Sequence, residues 1–235
     1  MQPQRVLVKF SGEALSGSQP FGISPEALGF FAREVKSVQE RGVELALVIG
    51  GGNLYRGSVL RQQGLDQVTG DHMGMLATVM NGLALRDGIE QVGVATRLLS
   101  AIPISGMVEH YDQRRAMRYM SEGDVVIFCA GTGNPFFTTD TAACLRAIEI
   151  KADVMFKATQ VDGVYDCDPN RYTDAVKYDT LTYDEVLNKR LAVMDMTAIS
   201  LARDHNLPLR VVRGDTPGFL LGAVDDPAMG SSVRA

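Results

Sequence analysis

Residues Val43 to Gly52 read VELALVIGGG, and this stretch decides the fold. Val43 to Ile49 is a nearly continuous apolar run. That is the pattern of a strand covered on both faces, because side chains pointing either way must meet apolar neighbours. Gly50-Gly51-Gly52 follows directly. Upstream, Gly42 closes a helical run in which Leu28, Phe31, Val35 and Val38 recur at helical spacing. Ser24-Pro25 reads as its N-cap and first-turn proline. Before it stand a short strand, Arg5 to Phe10, and a Gly/Ser-rich loop, Ser11 to Gly22. Downstream, a helix is expected over Asp71 to Glu90, with Met73, Leu76, Met80, Leu83 and Ala84 on one face as core or subunit interface. Further strands are expected at Val92–Leu98, Val125–Ala130, Asp153–Ala158 and Leu209–Val212. Helices are expected at Asp112–Met120, Thr139–Ile150, Leu181–Leu191 and Thr197–His205. This alternation predicts an α/β fold, a three-layer sandwich around a mainly parallel sheet.

The chain has 235 residues, 46% hydrophobic and 22% charged, the composition of an ordinary globular protein. No internal repeat, low-complexity tract or long linker divides it, so residues 1–235 read as one domain. A net charge of −5 argues against a nonspecific nucleic-acid coat. Cys129, Cys144 and Cys167 form no C-x-x-C pair and read as reduced thiols. His72, His110 and His205 read as structural, and no metal site is expected. The opening MQPQRVLVKF lacks the apolar region of a signal peptide, and no stretch approaches the ~18 apolar residues of a membrane span. Cytoplasmic residence, without a membrane partner, is the expectation.

In open α/β sheets ligands bind beyond the carboxyl ends of strands. The first strand ends in Lys9-Phe10-Ser11-Gly12. The second ends in Gly50-Gly51-Gly52-Asn53, with Arg56 close by. The Val125 strand runs into AGTGNPFFTTDTAACL, Ala130 to Leu145, and the Asp153 strand ends in Lys157-Ala158-Thr159. Glycines, hydroxyls, two lysines and an arginine at four strand ends are what a polyphosphate requires: close backbone N–H groups, and cations. Each piece also has a plainer reading. A glycine triplet makes tight turns, Lys9 and Arg56 could be solvated or ion-paired, and Asp71 and Asp140 could serve only the N-termini of their helices. The absence of G-x-x-x-x-G-K-[ST] excludes a P-loop. The absence of G-x-G-x-x-G after strand one disfavours a dinucleotide fold, and no H-R-D or D-F-G is present.

The set KFSGEAL, VIGGGNLYRG, GDHMGMLATVMNGLALRD, SAIP, AGTGNPFFTTDTAACLRAIEI, KATQVDGVYDCDP and MDMTAISLARDHNLPLRV resembles the bacterial uridylate (UMP) kinases of the amino acid kinase fold family. The likeness runs from about Arg5 to Gly218. It departs at the Ser16–Gly22 loop, at Val211–Asp215 and in the tail MGSSVRA.

The resemblance implies transfer of the ATP γ-phosphoryl group to UMP, with Mg²⁺ accompanying ATP, in pyrimidine nucleotide and CTP biosynthesis. It implies that the N-terminal part serves mainly UMP and the part from about residue 150 mainly ATP. Lys9 would lie on the transferring phosphoryl, with Lys157 a second cation, Asp140 orienting the lysines and Arg56 spanning both substrates. Lys9, Phe10, Ser11, Gly12, Gly52, Arg56, Thr159, Tyr165 and Asp168 would hold ATP. Gly51, Asp71 and the loop Thr132, Gly133, Asn134, Pro135, Phe136, Phe137, Thr138 and Thr139 would hold UMP. Asp71 would take the ribose hydroxyls, and the two phenylalanines would wall the pyrimidine. It further implies a homohexamer and GTP and UTP as effectors, with Arg86 and Arg97 candidates for an effector phosphate. Two alternatives remain: a same-fold kinase acting on a carboxylate or carbamate, and a non-catalytic nucleotide or oxyanion binder.

Overall fold

The structure, a computed structural model, describes residues 2–55 and 64–235; Arg56 lies outside the described residues. Strand β1 (Arg5–Phe10) sits at the middle of a nine-stranded sheet, beside β2 (Glu44–Ile49) on one edge. Beyond β2 come β5 (Val125–Cys129), β3 (Thr96–Ser100) and the two-residue β4 (Glu109–His110). On the other side of β1 come β6 (Val154–Thr159), β10 (Leu209–Arg213), β11 (Ser231–Arg234) and β9 (Thr180–Thr182). Every neighbouring pair is parallel except β10–β11. A separate two-stranded hairpin pairs β7 (Val164–Tyr165) with β8 (Lys177–Tyr178).

Alternation along β1 builds the two cores. Val6, Val8 and Phe10 face α1 (Pro25–Gln39), α2 (Gln67–Gln91) and α7 (Phe219–Asp225). Leu7 faces α3 (Gln113–Ser121), α4 (Thr139–Glu149), α5 (Tyr183–Lys189) and α6 (Met196–Asp204). Helices on both faces of a mainly parallel sheet make the α/β sandwich expected from the sequence. The crossover connections that a parallel sheet needs account for the helices between its strands.

Local chemistry sets the boundaries. Ser24 caps α1, its Oγ accepting from the Ala27 amide at 3.4 Å, with Pro25 in the first turn. Helix α2 begins four residues earlier than expected, because Asp66, not Asp71, is its N-cap and accepts from Thr69 N at 2.9 Å. Strand β3 begins at Thr96 rather than Val92, since Gly93 at φ 86° turns the chain away from α2 first. The expected helix at Leu181 starts at Tyr183: Thr180–Thr182 is a strand, and Thr182 with Glu185 forms a capping box. The atypical tail supplies β11, inserted between β10 and β9. Helix α7 has glycine at its N-cap, and the buried Glu34 of α1 serves instead, accepting from Gly218 N at 2.7 Å and Leu220 N at 3.1 Å.

One expectation about a side chain changes. Phe10 was expected beside ATP, but its ring is buried against Phe31 (centroids 4.7 Å apart) and Phe219 (6.4 Å). Its place on the α1 side of the alternating strand puts it there. Phe10→Ala is therefore expected to cost about 3–5 kcal/mol in urea unfolding, the penalty of a large core cavity. The Met/Leu stripe, expected as core or subunit interface, divides: Met73, Leu76 and Met80 are exposed, Leu83 packs partly buried against the core, and Met75, Val79, Leu85 and Ile89 on another face of α2 are buried.

Candidate active site

The register of β1 against β6 pairs Lys9 with Lys157. Both follow the residues, Leu7 and Met155, that point into the α4 and α6 layer, so the two side chains share that face. Two ammonium groups on neighbouring strands repel, and a carboxylate meets both. Asp140, in the first turn of α4, places Oδ2 2.7 Å from Lys157 Nζ and Oδ1 2.9 Å from Lys9 Nζ. The first contact is a hydrogen-bonded ion pair. The second is a charge pair without hydrogen-bond alignment, since Oδ1 has no hydrogen-bond partner among the described residues. All three side chains are largely buried, at 12%, 13% and 18% exposure for Lys9, Asp140 and Lys157.

Burial alone would push the Asp140 carboxyl up; the charges of Lys9 and Lys157 override it and hold the group below the ordinary aspartate range. Burial pulls Lys157 down, and Lys9 adds to this, against the attraction of Asp140. The trio carries one net positive charge in a low-dielectric setting, beside the N-terminus of an 11-residue helix.

The start of α4 is fastened by Thr138 together with Asp195, a residue with no expected role. Thr138 caps the helix, accepting from Asp140 N at 3.1 Å and Thr141 N at 3.3 Å. Its own hydroxyl donates to Asp195, which also accepts from Thr141 Oγ1 at 3.0 Å and caps α6 through Ala198 N at 3.0 Å. The Val193 carbonyl accepts from Lys157 Nζ. An aspartate just before the helical run TAISLAR is a cap signal, but its partner 54 residues upstream is invisible in a local window.

The two glycine turns interlock. Gly50 N donates to Phe10 O at 3.0 Å, and a Cβ on Gly12 would lie 2.5 Å from Gly52 N. A Cβ on Gly51 would lie 2.9 Å from Ala77 Cβ of α2. These glycines are required by close backbone approach, and none of Gly12, Gly50, Gly51 and Gly52 has positive φ. Gly133 does need both, at φ 81° with a Cβ position 3.0 Å from Ala101 O.

Two cavities meet this region. One, of about 310 Å³, is bounded by Gly51, Gly52 and Tyr55 on one side, by Asp71 and Thr78 on α2, and by Thr132, Phe137, Thr138 and Thr139. The other, of about 660 Å³, is lined by Lys9, Ser11, Lys157, Thr159, Tyr165, Asp168 and the Leu191–Val193 segment. Most of the expected residues thus gather around one pair of cavities. Phe10 does not join them, and Gly12 is buried against Gly52. Gly52, expected with ATP, lines the smaller cavity, and Asp140 lines neither. Gly133, Asn134, Pro135 and Phe136 do not line the smaller cavity. Thr132 and Asn134 bond each other, and Phe136, exposed and at φ 73°, donates its N–H to Asp71 at 2.8 Å. So Asp71, expected at a helix head, stands in the second turn of α2 with its carboxylate across the cavity mouth on the loop. Tyr165 donates to Asp162 at 2.6 Å, and Asp168 pairs with Arg171 at 3.4 Å. Chemically, a lysine pair lining the larger cavity, with glycine turns and hydroxyls around the smaller, suits anionic ligands.

The chain matches the model of the amino acid kinase family over residues 4–213. It is 62% identical over 231 residues to the uridylate kinase of Marinobacter nauticus, covering 98% of this chain and 96% of that one. Among solved structures it is similar to a UMP kinase from Bacillus anthracis, with TM-score 0.96, 36% identity, and 100% and 97% of the two chains covered. It is also similar to a UMP kinase from Ureaplasma parvum, with TM-score 0.93, 32% identity and complete coverage of both chains.

Proposed function

The chain belongs to the amino acid kinase family, and on that premise we propose that it transfers the γ-phosphoryl group of ATP to the phosphate of UMP, giving UDP and ADP. The observation that carries this reading is the buried Lys9–Asp140–Lys157 cluster, whose lysines line the larger cavity while Thr138 and Thr139, next to Asp140 in the chain, line the smaller. UMP takes the smaller cavity and ATP the larger, so that residues before about 150 serve mainly UMP and later ones mainly ATP.

A UMP phosphate oxygen attacks the γ-phosphorus in line, the bond to the bridging β,γ-oxygen breaks, and ADP leaves with that electron pair. No proton need be removed, because the UMP phosphate is already ionised. Asp140 therefore serves to aim the two lysines. Lys9 meets the charge on the transferring group, Lys157 and Arg56 add cations, and Ser11, Gly12, Gly51 and Gly52 offer backbone N–H groups. The N–H groups at the start of α4 add to the same field. Mg²⁺ would accompany ATP and would supply further neutralisation of the phosphate charge. Among the described residues no group of three or more His, Cys, Asp or Glu is placed to hold a metal.

Asp71 exchanges its bond from Phe136 N for the ribose hydroxyls, closing the loop on its ligand. Asp71→Ala is expected to raise KM for UMP by about tenfold or more, with KM for ATP little changed. A change confined to ATP would reverse the assignment of the cavities. The function itself is tested by ADP release with UMP, CMP and dTMP as acceptors; UMP is expected to be strongly preferred, and turnover independent of UMP would remove the reading.

No helix among the described residues is long and apolar enough to cross a membrane, and we place the enzyme in the cytoplasm, supplying UDP toward CTP. A homohexamer accounts for the exposed Met73, Leu76 and Met80 on α2. Leu76→Asp is expected to lower the mass seen in sedimentation. GTP and UTP are the proposed effectors. An effector phosphate at Arg86 and Arg97 has to compete with Asp124, 2.7 Å from Arg97, and with Glu90 in the same recess. Adding GTP to the assay reads the outcome.

A further inference from the structure

Asn53 and Asn81 are buried carboxamides that the scheme above leaves unused, at 1% and 0% exposure. Asn53 ends the glycine turn after β2, and Asn81 lies within α2. Each Nδ2 donates to the other's Oδ1, at 3.0 Å and 2.7 Å. The second N–H of each is also placed: Asn53 donates to Gly22 O at 2.8 Å, and Asn81 to Gly50 O at 2.7 Å. Flipping either amide would set oxygen against a carbonyl oxygen, so the network admits one orientation. Out of water, a fully satisfied network of this kind is stiff, and one lost member leaves several groups unpaired.

Two apolar side chains could fill this space, but they would not fix a backbone. The pair fixes three pieces of it. Gly50 O is held to α2. Gly22, the end of the Ser16–Gly22 loop, is held to Asn53, donating its own N–H to Asn53 O at 3.0 Å. Asn53 Oδ1 abuts Gly12, 2.8 Å from where a Cβ would stand. Those pieces flank the Ser11–Gly12 and Gly51–Gly52 turns to which phosphate-binding N–H groups were assigned.

We infer that the Asn53–Asn81 pair is a positioning device for phosphoryl transfer: it locks the Gly50–Gly52 turn against Ser11–Gly12 and so sets the spacing of the N–H donors. The inference rests on the phosphotransfer reading. Spacing errors weigh most on the transition state, so the loss belongs in kcat. Asn81→Ala in the full chain is expected to lower kcat by about 10- to 100-fold, with KM for UMP and ATP within about threefold, since a 1 Å misplacement costs on that scale. In the ligand-free variant the amides of Gly50, Leu54 and Tyr55, which bond to Phe10 O and Gly51 O, are expected to exchange hydrogen at least about tenfold faster, as local opening becomes easier. Amides of β2 should keep their protection. Asn53→Ser, outside any helix, is expected to give the same pattern should Asn81→Ala fold poorly.

A variant with a lower Tm but unchanged kcat per folded molecule, or unchanged exchange at those three amides, overturns the inference. Wild-type enzyme without UMP-dependent ADP release would instead remove the functional reading. The exchange rates would then judge the pair alone, faster exchange supporting it and unchanged exchange overturning it.

Discussion

Lys9→Ala is expected to lower kcat by about 10³-fold or more while the protein keeps its fold, equivalent to roughly 4 kcal/mol of transition-state stabilisation. The size follows from the position. The ammonium is largely buried at 12% exposure, faces the larger cavity, and is aimed by Asp140. A cation in such a place is not screened by water and needs no reorganisation when charge moves onto the bridging oxygen. The fold should survive, because the variant removes one of two like charges and leaves Asp140 paired with Lys157 at 2.7 Å. Steady-state kinetics with circular dichroism separates the two effects. Near-normal turnover would take Lys9 out of the chemistry.

Asp140→Asn is expected to act on both stability and rate. It leaves Lys9 and Lys157 facing each other without the carboxylate between them, and breaking a buried pair in this way costs about 3–5 kcal/mol. Turnover should fall as well, since neither lysine is then aimed. The pH dependence carries a distinct sign. The folded Asp140 carboxyl titrates below its ordinary value, so the unfolded chain binds its proton first as pH falls. Its contribution is therefore present above the ordinary aspartate range and is lost as pH falls through the lower folded value. Wild-type stability in urea should decline along that acid limb, and the Asp140→Asn protein should lack that part of the decline. Equal acid sensitivity in both proteins would show that Asp140 is not held in its ionised state by the lysines.

Much of this was legible in the sequence because the central strands are apolar throughout and their ends carry the chemistry. VELALVI and VVIFC can only be covered strands, and Lys9, Lys157 and the glycines follow at positions where ligands bind in parallel sheets. What the sequence hid is contact between distant segments. Glu34 caps α7 from 184 residues away, and Asp195 ties α4 to α6 across 54. The Met/Leu stripe left core and interface undivided for another reason. Helix α2 has two apolar faces, and periodicity alone does not say which one meets the sheet. Phe10 was placed with the ligand by its neighbours Lys9 and Ser11, whereas alternation along β1 sends it to the opposite layer.

The central claim is that two anionic nucleotides enter from opposite sides and meet at Lys9. A crystal structure with UMP and a non-hydrolysable ATP analogue tests it directly. The expected result has the UMP phosphate beside Gly51 and Thr139, the γ-phosphate of the analogue in the Lys157–Tyr165 cavity, and Lys9 Nζ within hydrogen-bond reach of the latter. A third cavity of about 650 Å³ adjoins the larger one at Ser11 and Thr159 and extends toward Phe30, Arg33 and Arg213. The analogue settling there, or two phosphates too far apart for Lys9 to bridge, would contradict the account.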